Sequence, residues 1–183
     1  MRFRLSAAIC VGVVLALAGC GGSGGSSSTT SASSSLTAAG GTSTGAASGA
    51  HGTFVAKLNP ICATYNRRIQ SIQADLQAQG AKAQASGKLK PYIGPLTEAR
   101  QTAAIAGDQV TALTPPAGEE PQATAIAKSL KNIARLNGML IKAARTNDST
   151  QFTAVSTAEQ EFASQAQAVM RAYGMTTVCG APS

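Results

Sequence analysis

Residues 121–146 read "PQATAIAKSLKNIARLNGMLIKAART", and this stretch decides the fold. Six of its apolar residues fall within about 100° of arc when the stretch is drawn as an α-helix, so they share one face. These residues are Ile126, Leu130, Ile133, Leu140, Ile141 and Ala144. Glu119, Glu120 and Pro121 suit the first turn of this helix, because carboxylates are favoured at its positive end and proline is tolerated there.

Three more apolar stripes flank this helix along the chain. They run from Phe54 to Leu76, from Tyr92 to Leu113 and from Phe152 to Tyr173, and none of the chain has the alternating pattern of a strand. Glycine, proline and asparagine mark the short connections between them. We therefore predict an all-α domain over residues 53–183, an up-down-up-down four-helix bundle.

The chain begins with a different kind of segment. Residues 1–4, "MRFR", are basic, and an apolar run from Leu5 to Leu17 follows them. This order is typical of a secretory signal peptide, which we place at residues 1–19. The apolar run is shorter than the roughly 20 residues that a permanent membrane span needs.

Residues 20–52 are nearly all glycine, serine, threonine and alanine, with no apolar period. Such a composition cannot bury enough surface to fold, so we predict a disordered tether. The only histidine of the chain, His51, falls within it.

The residues Leu17-Ala18-Gly19-Cys20 resemble the bacterial lipobox, in which the cysteine is lipidated and becomes the mature N-terminus. The resemblance implies that Cys20 carries acyl chains such as palmitate. It also implies that the protein is anchored at the extracytoplasmic face of the cell membrane, since two or more chains anchor stably.

Two of the four cysteines belong to the folded domain. Cys10 is lost with the signal peptide and Cys20 is the lipid acceptor, which leaves Cys62 and Cys179. This pair has neither a CxxC nor a metal-binding spacing, and outside the cytoplasm such a pair favours a disulfide. In the predicted topology Cys62 and Cys179 lie at the same end of the bundle.

Three segments of the domain resemble a broad class of small helical lipoproteins from high-GC Gram-positive bacteria. They are "NPICATYNRRI" at 59–69, "LTPPAG" at 113–118 and "YGMTTVCG" at 173–180. The resemblance implies a helical, membrane-anchored domain and supplies no catalytic residues.

Two polar residues fall within predicted apolar faces. Asn137 and Glu159 each lie eleven residues from Asp148 in the turn between the third and fourth helices, so they are expected at the same level. Arg100 flanks the stripe of the second helix near that level. Since a buried carboxylate needs a partner, we predict an Arg100–Asn137–Glu159 polar layer, which either fixes the register of the helices or forms the floor of a small-ligand cavity.

The face of the third helix opposite its apolar stripe is basic. It carries Lys128, Lys131, Arg135, Lys142 and Arg145. We interpret this face either as a solvated surface or as a contact for an acidic partner. Without the signal peptide, thirteen basic residues remain against eight acidic ones, a balance that favours anionic neighbours.

Several classes of function are disfavoured. Only seven residues are aromatic and none is tryptophan, so the basic charge does not indicate a nucleic-acid partner. With one histidine and no Glu-x-x-His, the sequence predicts no metal, no cofactor and no catalytic site. We expect a non-enzymatic interaction or adaptor module of the cell envelope, contacting an envelope protein or an anionic wall polymer. The alternative is a small-ligand-binding module that uses the polar layer.

Overall fold

The computed structural model describes residues 44–180, with side chains from residue 49 onward. This part of the chain forms four α-helices and no strand. The helices are α1 (Thr44–Ser86), α2 (Ile93–Thr111), α3 (Glu120–Thr146) and α4 (Ser149–Ala172), and a 3-10 turn, Lys90–Tyr92, precedes α2. The predicted all-α class is confirmed.

Contacts between the helix ends define the topology. His51, near the start of α1, contacts Glu119 at the start of α3 and Tyr173 at the end of α4. At the opposite end of the bundle, Leu89 in the loop after α1 is hydrogen-bonded to Asn147 at the end of α3. Successive helices therefore run in opposite directions, and the predicted up-down-up-down bundle is confirmed.

The first helix begins earlier than the sequence predicts. We expected the tether to extend to residue 52, and α1 begins at Thr44, nine residues before the predicted boundary at residue 53. The glycine-rich composition concealed this extra length, because glycine lowers helix propensity. Packing of His51 against α3 and α4 compensates for that weakness. The remaining tether and the signal peptide, residues 1–43, lie outside the described residues.

The ends of α3 and α4 are closed by specific turn residues. Asn147 ends α3 in the left-handed conformation, with φ 56°, and the Asp148 carboxylate caps α4 by accepting a hydrogen bond from the amide of Gln151 at 2.9 Å. At the end of α4, Gly174 has φ 87°. The amide of Met175 donates to the carbonyl of Met170, so the helix closes in a Schellman motif.

The core consists of two apolar clusters. The larger one joins all four helices and the C-terminal segment; its fully buried members include Leu58, Ile126, Leu130 and Met170. The second lies towards the other end of the bundle and comprises Leu96, Leu136, Leu140, Ile141 and Val155. On α3 the two clusters meet at Asn137.

The C-terminal segment lies between α1 and α4. Each of these helices packs on its sequence neighbour, but within residues 44–180 their backbones nowhere approach each other within 8 Å. After Gly174 the chain doubles back, and residues 175–180 bond to side chains of both α1 and α4. Among the described helices, none is both long and apolar enough to cross a membrane.

Candidate functional site

Two of the three residues of the predicted polar layer, Asn137 and Glu159, are in contact. The Asn137 amide is 3% exposed; it donates to the Glu159 carboxyl at 2.7 Å and to the Ile133 carbonyl at 3.1 Å. Burial raises the pKa of Glu159 to about 7, and the hydrogen bond from Asn137 opposes part of that shift. Burial, and then the Glu159 charge, raise the pKa of the Tyr65 hydroxyl on α1.

Arg100 is not part of this layer, and that prediction is wrong. Its side chain is exposed, and it forms no ion pair among the described residues. The neighbouring Ala99 faces the core, and one residue further the helix has turned by about 100°, so the Arg100 stem lies beside Gly138 on the outside of the bundle. A carboxyl whose pKa is near neutral is largely uncharged below pH 7, so the single amide donor of Asn137 satisfies it.

Two cavities on the described surface do not reach Asn137 and Glu159. One of these two cavities lies where α1 and α3 end, and the other lies beside the first turns of α1 and the loop before α3. Neither is lined by the two residues. The hydrogen bond between Asn137 and Glu159, which we call the polar pair, joins α3 to α4 near the junction of the two core clusters.

A second group of polar contacts fixes the C-terminal segment to α1. The predicted disulfide joins Cys62 to Cys179 across 117 residues of sequence, with the Cα atoms 4.4 Å apart. Two asparagines on the same helix flank Cys62. Asn59 bonds to Thr176 and Thr177, at 3.0 and 3.1 Å.

Asn66 completes this arrangement two turns further along α1. Its amide donates to the Val178 carbonyl at 2.9 Å, and its carbonyl oxygen accepts from the Gly180 amide at 2.6 Å. Gln167 of α4 donates to the Gly180 carbonyl at 2.8 Å. We call Asn59, Asn66 and the disulfide the tail clamp; it accounts for the segments "NPICATYN" and "TTVCG" as two halves of one structural unit.

His51, predicted within the tether, instead belongs to a cluster at the start of α1. Its Nδ1 lies 3.0 Å from the Glu119 carboxylate, and the Tyr173 hydroxyl donates to the same oxygen. The hydrogen bonds from Tyr173 and then His51 hold the pKa of Glu119 below its ordinary value. Burial and then Glu119 raise the pKa of Tyr173. Glu119 therefore links three helix ends, although its side chain makes no cap to α3.

All five cations of the basic row on α3 are exposed. The basic row comprises Lys128, Lys131, Arg135, Lys142 and Arg145. Only Lys131 has a carboxylate partner among the described residues, Asp108 of α2 at 2.9 Å. Arg135 donates to the sulfur of Met139 on its own helix, which leaves its charge unneutralised. The row thus presents four positive charges that the described part of the chain does not balance.

Comparison of the chain with protein-family models, with curated proteins and with solved structures gives no match. The lipidation site Cys20 lies outside the described residues, and its role stays a prediction. Within the described part, no three side chains of histidine, cysteine, aspartate or glutamate are grouped to hold a metal ion.

Some of these contacts had a signal in the sequence. Asn59 and Asn66 lie seven residues apart around Cys62, a spacing that puts all three on one side of a helix. His51 had no such signal, because its partners lie 68 and 122 positions away and the surrounding glycines indicated a linker.

Proposed function

We propose that this protein is a membrane-anchored lipoprotein of the cell envelope, lipidated at Cys20, whose helical domain acts as a non-enzymatic interaction module for an anionic partner. The observation that carries the proposal is the basic row. Charges of one sign that are exposed and unpaired attract an oppositely charged surface and steer it towards the face that carries them.

Exposed side chains of both signs of charge are usually interspersed on a protein surface. The basic row of α3 lacks this alternation, since among the described residues its one carboxylate partner is Asp108, which comes from α2. An anionic wall polymer or an acidic face of an envelope protein would supply the missing negative charge. We favour this contact over small-ligand binding at the polar pair, because that pair lines neither described cavity.

The anchor is tested by replacing Cys20 with alanine in the full chain and following both forms by membrane fractionation and acyl labelling. We expect the wild type to be labelled and membrane-bound, and the variant to be unlabelled and released. An unlabelled wild type, or a variant that stays with the membrane as fully as the wild type, contradicts the anchor.

The contact is tested separately, with the full chain carrying Cys20→Ala on immobilised poly(L-glutamate), eluted by a salt gradient. The row variant is Lys128→Gln/Arg135→Gln/Lys142→Gln. The control, Lys57→Gln/Arg67→Gln/Arg171→Gln, removes the same charge from exposed positions on α1 and α4.

We expect the row variant to elute at lower salt than the control, since exposed charges are screened over about 10 Å and act on what lies close to them. Equal elution of the two variants would show that only net charge matters. That result would overturn the basic row as the contact surface.

A further inference from the structure

A cleft of about 750 Å³ lies at the end of the bundle where α1 and α3 finish. Four cations line it, and they come from three places in the sequence: Lys82 from α1, Lys88 and Lys90 from the connection to α2, and Arg145 from α3. Gln79 and Asn147 add amide groups to the same surface. We call this group of four cations and its surroundings the cationic cleft.

The charge of the cleft is not neutralised by the described part of the chain. No carboxylate lines it, and none of its four cations forms an ion pair within residues 49–180. Helix C-termini favour nearby cations by about 0.3–1 kcal/mol each, which accounts for Arg145 in the last turn of α3. Lys88 and Lys90 lie beyond the last turn of α1, so they gain less from its dipole and still repel the other two cations.

The connection that carries Lys88 and Lys90 is held in place. The Asn147 side chain accepts a hydrogen bond from the Leu89 amide at 2.8 Å and donates to the Gly87 carbonyl at 3.4 Å. Ser86 accepts from the Lys88 amide at 3.3 Å and donates to the Lys82 carbonyl at 2.7 Å. The backbone that presents these lysines is therefore fixed beside Arg145, and the like charges are kept together by the fold.

We propose that the cationic cleft binds an anion that carries clustered phosphate groups. A lysine ammonium acts as a point charge for phosphate, and an arginine contacts two of its oxygens at once. Several phosphates in one ligand place enough negative charge in the cleft to balance four cations. The volume is that of sites for small ligands, about 300–1,000 Å³. This inference rests on the proposed function, which is contact with an anionic partner. It adds the chemical class of a ligand and a second surface that binds it.

The test is calorimetric titration of inorganic tripolyphosphate into the full chain carrying Cys20→Ala. The cleft variant adds Lys88→Gln/Lys90→Gln, and the control adds Lys57→Gln/Arg171→Gln, which removes the same charge elsewhere. We expect about ten-fold weaker binding for the cleft variant, because half of the local positive charge is gone, and about the same affinity for the control.

Two further arms define the ligand. Citrate tests whether phosphate is needed, since it carries similar charge on carboxylates; we expect it to bind more weakly than tripolyphosphate, and equal binding contradicts the ligand class. Vesicles of phosphatidylcholine with one-fifth cardiolipin test a lipid source. Vesicle binding that is reduced in the cleft variant assigns the phosphates to headgroups, and tripolyphosphate binding alone assigns them to a soluble anion.

The outcome is separable from that of the proposed function. If the cleft variant and the control bind tripolyphosphate equally, the cleft assignment is wrong, whatever the basic row does on poly(L-glutamate). If the row variant and its control elute together while the cleft variant binds tripolyphosphate more weakly than its own control, the basic row is not the contact surface. The assignment of the cationic cleft is then still supported. Thermal unfolding of each variant confirms that the fold is intact, as expected for exposed positions.

Discussion

The half of the bundle where α1 begins and the end where α1 finishes differ in how their polar and charged side chains are held. In the first half, His51, Glu119 and Tyr173 satisfy one another, and the tail clamp fixes the C-terminal segment with a disulfide and four hydrogen bonds from two asparagines. At the other end, the four cations of the cationic cleft have no described counter-charge. One half holds the fold together, and the other presents charge.

This comparison also separates stability from binding. Polar groups that are already paired within the protein contribute to the free energy of unfolding. They leave few unpaired groups for a partner to bind. Unpaired charges contribute little or negatively to stability and are available to a ligand. We therefore expect substitutions in the clamped half to change stability, and substitutions in the cleft to change affinity.

The largest effect is expected from the disulfide. Replacing Cys62 and Cys179 with serine should lower the free energy of unfolding by about 2–5 kcal/mol, because a loop of this length loses much entropy when closed. Urea unfolding of the full chain carrying Cys20→Ala measures it, with and without the serine replacements. Hydrogen exchange should accelerate at residues 175–180 and not at residues 87–90. Equal acceleration at both would show that the two halves are not separable.

The second effect concerns the polar pair and depends on pH. Because burial raises the pKa of Glu159 to about 7, the folded protein binds a proton more tightly than the unfolded chain, whose glutamates titrate near 4.3. This part of the stability is complete below about pH 4 and is lost as pH rises to about 7.

Glu159→Gln removes that dependence and keeps an acceptor for Asn137. We expect it to raise stability at pH 8 by about 1–3 kcal/mol relative to the wild type, with little change at pH 4. Glu161→Gln, an exposed neighbour with the same charge change, is the control. A gain of the same size in both variants, or no gain at pH 8, contradicts the raised pKa of Glu159.

The third effect tests the tail clamp without touching the disulfide. Asn66→Ala leaves the Gly180 amide and the Val178 carbonyl without their partners, and we expect a loss of about 1–3 kcal/mol. Chemical unfolding measures it, with Asn132→Ala on α3 as the control. If the two alanine variants are equally stable, the hydrogen bonds of Asn66 do not hold the segment and the disulfide alone does.

The sequence predicts the helices, several of their ends and the disulfide, and little of the cationic cleft, for a physical reason. Helical stripes, the Asp148 cap, the Gly174 end and the Cys62–Cys179 pair are local or unique signals, and all are observed. The Asn137–Glu159 contact followed from counting residues away from one turn. The prediction for Arg100 was wrong because the level of a residue along the bundle axis does not determine the direction in which its side chain points.

The cationic cleft required the loop geometry as well as the topology. An up-down-up-down order brings the ends of the first and third helices together, so Lys82 and Arg145 have a common end. The positions of Lys88 and Lys90 depend on a left-handed Asn147 and its side-chain bonds to the preceding connection. Those hydrogen bonds join residues about 60 positions apart in the sequence, and the periodicity of apolar residues does not predict them.

The smallest effect on stability is expected from replacing Asn147. This replacement tests whether the side-chain bonds at the cleft end serve binding as well as stability. Asn147→Gly keeps the left-handed backbone, which glycine adopts without strain, and removes only the side-chain bonds to residues 87 and 89. We expect a loss of about 0.5–1.5 kcal/mol in stability, together with weaker tripolyphosphate binding, because Lys88 and Lys90 are no longer held beside Arg145.

Gly138→Ala is a useful companion change on the same helix, since a methyl group there meets only the flexible Arg100 stem at 3.9 Å. It should leave the affinity for tripolyphosphate unchanged. A loss of affinity in Asn147→Gly but not in Gly138→Ala would show that this end is ordered for binding. Unchanged affinity in both, with stability reduced in the first, would show that Asn147 only closes the fold, and that the cations at this end do not depend on it for their position.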